Sequence, residues 1–160
     1  MIYSDCADLL SWLPKDERGY FMWSAGKFAF PPEAGAAERY FETYAARSSS
    51  QLMTALTDDG IPCGHFLLRR IDYEKNEARL GFIIVDPALR GKGTGRKMLA
   101  LARKYAFEIL GLKRLTLAVF DDNISAKACY LKAGFVLTGK TEEYEQNGRS
   151  LTASEMETTA

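Results

Sequence analysis

The chain has 160 residues, of which 47% are hydrophobic and 26% charged. This length and composition predict a single globular domain spanning residues 1–160. The 21 lysines and arginines balance the 21 aspartates and glutamates, so no global field attracts nucleic acid or an anionic membrane surface. Any site for an anion must therefore come from local clustering of charge.

Targeting and metal signals are not found either. The sequence has no run of 18 apolar residues and no basic-then-apolar signal order, so we expect a cytoplasmic protein without membrane association. Cys6, Cys63 and Cys129 are odd in number, have no CxxC spacing and accompany a single histidine, His65. We therefore expect reduced, buried cysteines and no metal.

The first elements of the chain are weakly patterned. A helix is predicted over residues 5–13, where Pro14 ends it, and the aromatic run Tyr20–Trp23 is interpreted as a candidate strand. Pro31 and Pro32 begin a predicted helix that continues to Arg47. This part of the sequence gives little information about function.

Three predicted strands follow, at residues 51–57, 64–71 and 78–85, and short turns join them. The core of the third strand, Leu80–Val85, is apolar throughout. Such a run indicates a strand that is covered on both faces in the middle of a sheet.

Helices and strands then alternate. An amphipathic helix is predicted over residues 95–110, a strand over 113–120 and a short helix over 123–133. The last two strands, 135–144 and 150–157, are joined near Asn147-Gly148. The whole order predicts an α/β (α+β) domain in which an antiparallel meander leads into a β-α-β-α-β half.

A glycine-rich loop lies between the apolar strand and the amphipathic helix, with the sequence Arg90-Gly-Lys-Gly-Thr-Gly95. Glycine allows close backbone approach to a ligand and positive φ angles. The first amides of a helix lack internal partners, and the helix dipole adds positive charge there. With Arg96 and Lys97 the window is strongly cationic, which predicts a phosphate site.

Two other phosphate loops do not fit these residues. A Walker loop needs a Gly-Lys pair followed by serine or threonine, whereas in this loop Gly91-Lys92 is followed by glycine. A dinucleotide fingerprint needs G-x-G-x-x-G, but here Gly93 is followed by Gly95. The connection from the strand to the glycines is also longer than that tight turn.

The segment Val85–Gly95 resembles the acetyl-CoA signature of the GNAT superfamily of N-acetyltransferases, which is R/Q-x-x-G-x-G/A after a strand ending in V-x-P. Arg90, Gly93 and Gly95 occupy the three fixed places. A second segment, from Asn123 to Phe135, resembles the family's N-x-x-A…Y-x-x-x-G-F pattern. The resemblance covers roughly residues 64 to 140.

The resemblance implies a mixed, mostly antiparallel sheet flanked by helices, in which a splayed pair of parallel strands holds acetyl-CoA. The backbone of residues 83–85 is expected to pair with the pantetheine arm, and the amides of residues 91–96 to hold the pyrophosphate. The cofactor-binding residues expected from it are Ile83, Ile84, Val85, Arg90, Gly91, Lys92, Gly93, Thr94, Gly95, Arg96 and Asn123.

The resemblance also implies a direct transfer, in which a primary amine of a small molecule, a protein N-terminus or a lysine attacks the thioester. Tyr130 is expected to protonate the departing thiolate. The alternative is a non-catalytic acyl-CoA-binding sensor or regulatory module. That alternative is motivated by a missing carboxylate, because the strands that carry a glutamate in several relatives have none here.

The general base is therefore not assigned, and the candidates are Glu77, His65, Glu33 and a water-mediated route. For the acceptor, Trp23, Phe28 and His65 are the candidate contacts, because the aromatic segment 20–30 lies where the family builds its acceptor wall. The first strand of the superfamily is either absent or replaced by the run at 20–23. A homodimer through the C-terminal strands would agree with the resemblance.

Overall fold

A six-stranded sheet forms the centre of the computed structural model, which describes all 160 residues. The strands are β1 (Ser50–Leu56), β2 (Pro62–Asp72), β3 (Glu77–Val85), β4 (Arg114–Phe120), β5 (Val136–Gln146) and β6 (Arg149–Thr159). Their spatial order is β1-β2-β3-β4-β6-β5. Only β3 and β4 run parallel, so the predicted mixed, mostly antiparallel sheet is confirmed.

Helices cover both faces of this sheet. They are α1 (Cys6–Trp12), α2 (Glu17–Ser24), α3 (Ala36–Ala45), α4 (Thr94–Lys104, continued by a π-helical turn, Tyr105–Ile109) and α5 (Ile124–Lys132). Helices α1 to α3 enclose one apolar core with the sheet, and α4 and α5 enclose the other. None of the helices combines the length and the apolar composition that crossing a membrane requires.

The inner strands have apolar side chains on both faces, as the sequence predicts. In β2, Phe66 and Leu68 enter the core beneath α4 and α5, whereas Leu67 enters the core beneath α1 to α3. This follows from the two-residue period of a strand. In β3, Leu80 enters the core beneath α4 and α5, and Ile84 enters the core beneath α1 to α3.

The parallel pair separates along its length. β3 and β4 are paired only where Glu77–Arg79 faces Arg114–Thr116, and beyond that point a gap opens along the rest of β3. The same stretch of β3 contains a β-bulge, because its register with β2 shifts between the His65 and Leu67 pairings. The bulge includes Phe82, whose φ of 50° is left-handed.

The structure corrects the first part of the prediction. The run Tyr20–Trp23 is not a strand but lies inside α2, and no strand precedes β1 among these 160 residues. Asp16 starts α2 by accepting a 2.8 Å hydrogen bond from the Gly19 amide. Helix α3 begins at Ala36 rather than after Pro31, because Gly35 adopts a φ of 74° at its N-cap. The other predicted elements agree with the structure to within a few residues.

Candidate active site

The gap between β3 and β4 is a cleft of about 440 Å³ that passes between the two helical layers. Its walls are formed by residues 80–85 of β3 and 118–120 of β4, by Gly19, Met22 and Trp23 of α2, and by Asn123, Ala126 and Tyr130 at α5. The structure therefore brings together Ile83–Val85, Arg90, Asn123, Tyr130 and Trp23 from the sequence prediction.

The glycine loop lies beside the cleft, at the N-terminus of α4. Gly91 and Gly93 have φ angles of 74° and 84°, and no atom lies within 4 Å of the position of an added Cβ at either residue. The first helical hydrogen bond runs from the Lys97 amide to the Gly93 carbonyl at 3.0 Å. The amides of residues 94–96 precede that bond and remain available to an anion.

Gly95 has a different role in the same loop. A Cβ at Gly95 would lie 3.3 Å from Sγ of Cys129 and 3.6 Å from Cγ2 of Val85. This glycine therefore allows α4 to pack closely against β3 and α5. The Cys129 thiol is partly buried, and burial raises its pKa, which argues against a thiolate nucleophile at this position.

The side chain of Arg90 holds the loop in place. Its Nε donates to the Val85 carbonyl at 3.0 Å, and its Nη2 donates to the Trp12 carbonyl at 3.3 Å. Lys92 donates from Nζ to the Ala88 carbonyl at 3.0 Å. These donors tie the loop to the end of β3, to α1 and to itself, so the side chains of Arg90 and Lys92 are already engaged, whereas the backbone amides of residues 94–96 are not.

Helix α5 presents two polar side chains to the cleft. Asn123 caps the helix, with Oδ1 accepting from the Ala126 amide at 3.3 Å. Tyr130 lines the cleft and is only 9% exposed, and its hydroxyl makes no hydrogen bond inside the protein. Burial raises the pKa of this phenol, so Tyr130 keeps its proton at neutral pH and can donate it.

The predicted acceptor contacts are only partly assembled. Trp23 lines the cleft. Phe28 lies behind it, with ring centroids 6.2 Å apart, and lines neighbouring pockets instead. His65 is 1% exposed and does not reach the cleft. Of these three predicted contacts, the structure places only Trp23 in the wall of the cleft.

His65 is instead a buried, neutral side chain. Its Nε2 shares a 2.9 Å hydrogen bond with the Tyr40 hydroxyl, whereas Nδ1 has no partner of normal geometry. Burial, followed by the positive N-terminus, lowers the pKa of His65 to about 3, and the nearby Met53 carbonyl opposes the shift only in part. A histidine of this kind is neutral at physiological pH.

The other two candidate bases also lie away from the cleft. Glu77 pairs with Arg114 at 2.8 Å, at the end where β3 and β4 are still joined. Glu33 is exposed and pairs with Arg39 at 3.1 Å. Neither carboxylate lines the cleft, so none of the three side chains considered as bases is placed to act there.

One acidic side chain does line the cleft, and the sequence reasoning missed it. Asp16 is the only carboxylate among the lining residues, and it also caps α2. The available signal was an aspartate followed by Glu17 ahead of an apolar segment, which is typical of a helix start. A strand at 20–23, which the aromatic run predicts, leaves no helix for Asp16 to cap, so the two signals conflict.

Known proteins resemble this chain in both sequence and fold. Residues 9–135 match the model of the acetyltransferase (GNAT) family. The spermine/spermidine N(1)-acetyltransferase of Bacillus subtilis (strain 168) is 31% identical over 85 residues, which are 53% of this chain and 54% of that protein. The spermidine N(1)-acetyltransferase of Escherichia coli (strain K12) is 33% identical over 99 residues, 61% of this chain and 53% of that protein.

The chain thus spans about half the length of the curated relatives it matches. In structure the likeness covers nearly all of it. The spermidine N-acetyltransferase from Vibrio cholerae, solved in complex with CoA and spermine, superposes with a TM-score of 0.82 over 99% of this chain and 92% of that one. The identity is 24%, so this superposition establishes the fold.

Proposed function

Because this chain belongs to the GNAT acetyltransferase family, we propose that it transfers an acetyl group from acetyl-CoA to a primary amine. One observation carries the proposal. The splayed strands β3 and β4 form an open cleft that has a glycine-rich helix N-terminus beside it and a protonated tyrosine in its wall. These are the groups that phosphate binding and thioester transfer need.

The chain fits acetyl-CoA by its shape and by its backbone. The amides at residues 94–96 have no partner inside the protein and would hold the pyrophosphate. The unpaired edge of β3 at residues 83–85 would pair with the amide groups of the pantetheine arm, as an added strand does. Asn123 would contribute a side-chain hydrogen bond from the opposite wall. Acetyl-CoA itself supplies the thioester.

Two groups of the chain would assist the transfer. The β-bulge at Phe82 interrupts the regular pairing of β3, which allows a backbone amide of this strand to stabilise the developing oxyanion. The Tyr130 hydroxyl would donate its proton to the leaving thiolate. No enzyme nucleophile is required when the amine attacks the carbonyl directly.

The amine has to lose a proton before it attacks. None of the side chains Glu77, His65 and Glu33 lines the cleft, so we propose that water carries this proton away. Asp16 is the only carboxylate that lines the cleft. It accepts a hydrogen bond from the Gly19 amide, so we interpret it as the N-cap of α2.

Thiol release from acetyl-CoA tests this function. The purified chain is incubated with acetyl-CoA and a panel of primary amines. The panel includes spermidine, the amine that appears in the names of the relatives. The acetylated products are identified by mass spectrometry. We expect amine-dependent release of CoA. If CoA binds at micromolar concentration but no amine supports turnover, the chain is an acyl-CoA-binding module and the proposed function is wrong.

A further inference from the structure

A second, smaller pocket of about 60 Å³ adjoins the cleft. It lies against the C-terminal end of α2 and the face of the sheet that α1 to α3 cover. Seven residues line both cavities: Met22, Trp23, Leu80, Gly81, Phe82, Ala118 and Phe120. A molecule that reaches the reacting end of the cleft from this side can therefore extend into the small pocket.

The charged residues of the small pocket are all cationic. Lys27, Arg69 and Arg79 line it, and no aspartate or glutamate does. On a chain whose formal net charge is zero, three cations around a cavity of this size are a local excess of positive charge. Such an excess favours an anion over a cation.

Unpartnered polar atoms are concentrated in the same pocket. Trp23 Nε1, Ser24 Oγ, Arg69 Nε and Arg79 Nε are buried without a hydrogen-bond partner, and all four residues line the pocket. Ser24 is 1% exposed and Arg79 is 9% exposed. Each of these groups can donate a hydrogen bond, and a buried donor without a partner destabilises the fold unless something binds it. The side chains that line the pocket therefore include hydrogen-bond donors that the fold itself leaves unpaired.

The two arginines differ in how their charge is balanced. Arg79 donates to Glu142 at 2.8 Å and lies 3.8 Å from Glu155. Arg69 has no ion pair within 4 Å, although it is close enough to help lower the pKa of Glu142. Glu142 also accepts a 2.7 Å hydrogen bond from the Tyr144 hydroxyl. Lys27 has no ion pair either but is exposed, so the guanidinium of Arg69 is the partly buried cation of the pocket that no carboxylate pairs with.

Gly81 provides the space in which Arg69 lies. A Cβ at Gly81 would be only 2.9 Å from Arg69 Nε, so the arginine side chain crosses β3 directly over this glycine. The guanidinium carbon lies 6.0 Å from the Phe82 ring centroid. This packing places the free positive charge next to the bulge of β3, at the wall of the cleft.

We propose that the small pocket binds a carboxylate of the acceptor, and that the acceptor is therefore a small molecule with both a primary amine and a carboxylate, as in an amino acid. The inference rests on the proposed function, because it assigns the acceptor of that same cleft. A volume of about 60 Å³ equals roughly two water molecules of liquid, which suits a carboxylate. A polyamine has no anionic group for this pocket and would bring a second ammonium towards Arg69.

Matched acceptor pairs test the assignment. We would compare 4-aminobutyrate with butylamine, 6-aminohexanoate with hexylamine, and phenylalanine with 2-phenylethylamine, with spermidine added as a cation that lacks a carboxylate. The carboxylate member of at least one pair should have a kcat/KM at least tenfold higher than its matched amine. The proposal is overturned if every amine that turns over is used equally well without its carboxylate, or if spermidine exceeds all the acids.

Two arginine variants connect this preference to the pocket. Arg69→Gln keeps a long side chain and removes the charge, and it should bring the ratio within each pair close to one. Arg70→Gln is the matched control, since Arg70 is the next residue of β2 and is exposed. Melting temperatures of both variants establish that they fold. A preference for acids that survives in folded Arg69→Gln contradicts the proposal.

A binding measurement separates this inference from the proposed function. The same acids and amines are titrated into the CoA-saturated chain by calorimetry, which requires no turnover. Absence of CoA release with every amine would refute the proposed function. The inference about the pocket would then stand if an acid binds at least tenfold more tightly than its matched amine and loses that advantage in Arg69→Gln, and it would be rejected if no acid does so.

Discussion

The Tyr40 hydroxyl and Nε2 of His65 share a 2.9 Å hydrogen bond in a part of the core that is closed to solvent. The ring is packed at a centroid distance of 5.6 Å from Tyr40. Protonation of His65 would place a positive charge there without a carboxylate partner, and its pKa is accordingly lowered to about 3. This pair couples the stability of the fold to pH.

The coupling has a definite sign. The unfolded chain protonates its one histidine near pH 6.5, but the folded chain does so only near pH 3. Stability from this source is complete above pH 6.5 and falls as the pH decreases from 6.5 towards 3, by about 1.4 kcal/mol per pH unit within that window.

His65→Gln should remove this dependence. Between pH 7.5 and 5.5 the free energy of unfolding of the parent chain should fall by about 1.4 kcal/mol more than that of the variant. Urea unfolding at both pH values measures the difference, and the carboxylates common to both chains cancel. Equal losses in the two chains would mean that His65 is protonated in the folded state at pH 5.5.

Gly93→Asp should weaken CoA binding by more than tenfold, which is about 1.4 kcal/mol. The substitution places a carboxylate where the amides at the start of α4 would meet the pyrophosphate. Gly60→Asp is the matched control, because Gly60 also has a positive φ and open space around an added Cβ, but lies in the turn between β1 and β2. Calorimetric titration with CoA compares them, and equal affinities would refute the placement of the pyrophosphate.

Tyr130→Phe should lower kcat by roughly a hundredfold or more while CoA affinity stays within about twofold. The hydroxyl makes no hydrogen bond inside the protein, so its removal should leave the melting temperature unchanged. Tyr105→Phe is the control, since Tyr105 packs against the same core but does not line the cleft. A normal turnover rate in Tyr130→Phe would exclude this residue from the chemistry.

Substitutions at Asp16 separate capping from charge. Asp16→Ala should reduce the free energy of unfolding by about 1 kcal/mol, because the Gly19 amide loses its acceptor, and Asp16→Asn should recover most of that loss. If water removes the amine's proton, kcat/KM for the acceptor should be unchanged in Asp16→Asn. A tenfold loss in that stable variant, with an altered pH profile, would identify Asp16 as the base.

The second half of the fold was predictable because local signals agree there. The glycine loop, the amphipathic face of α4 and the Asn123 cap all indicate the elements that the structure contains. The run Tyr20–Trp23 gave no such agreement. Four adjacent apolar residues fit a strand as well as a helix. The N-cap bond from Gly19 to Asp16, together with the burial of Tyr20 and Ser24 four residues apart on one face, accompanies the helix that the structure contains.

The small cationic pocket could not have been predicted from sequence. Arg69 and Arg79 are ten positions apart, and they become neighbours only because the register of β2 and β3 pairs them. The space for the Arg69 side chain depends in turn on Gly81. Cross-strand register and the shape of a cavity are tertiary properties, so the local pattern of residues contained no signal for them.

The short contact between β3 and β4 makes the sheet two three-stranded halves that are hydrogen-bonded to each other only at one end, through Glu77–Arg79 and Arg114–Thr116. Beyond Arg79, the backbone amides of β3 that face the gap have no partner on β4 to slow their exchange with solvent. A ligand that pairs with this edge would join the two halves like a missing strand. Slow deuterium uptake by residues 83–85 after CoA is added, with little change at β1, would therefore be the most direct sign that the gap is filled.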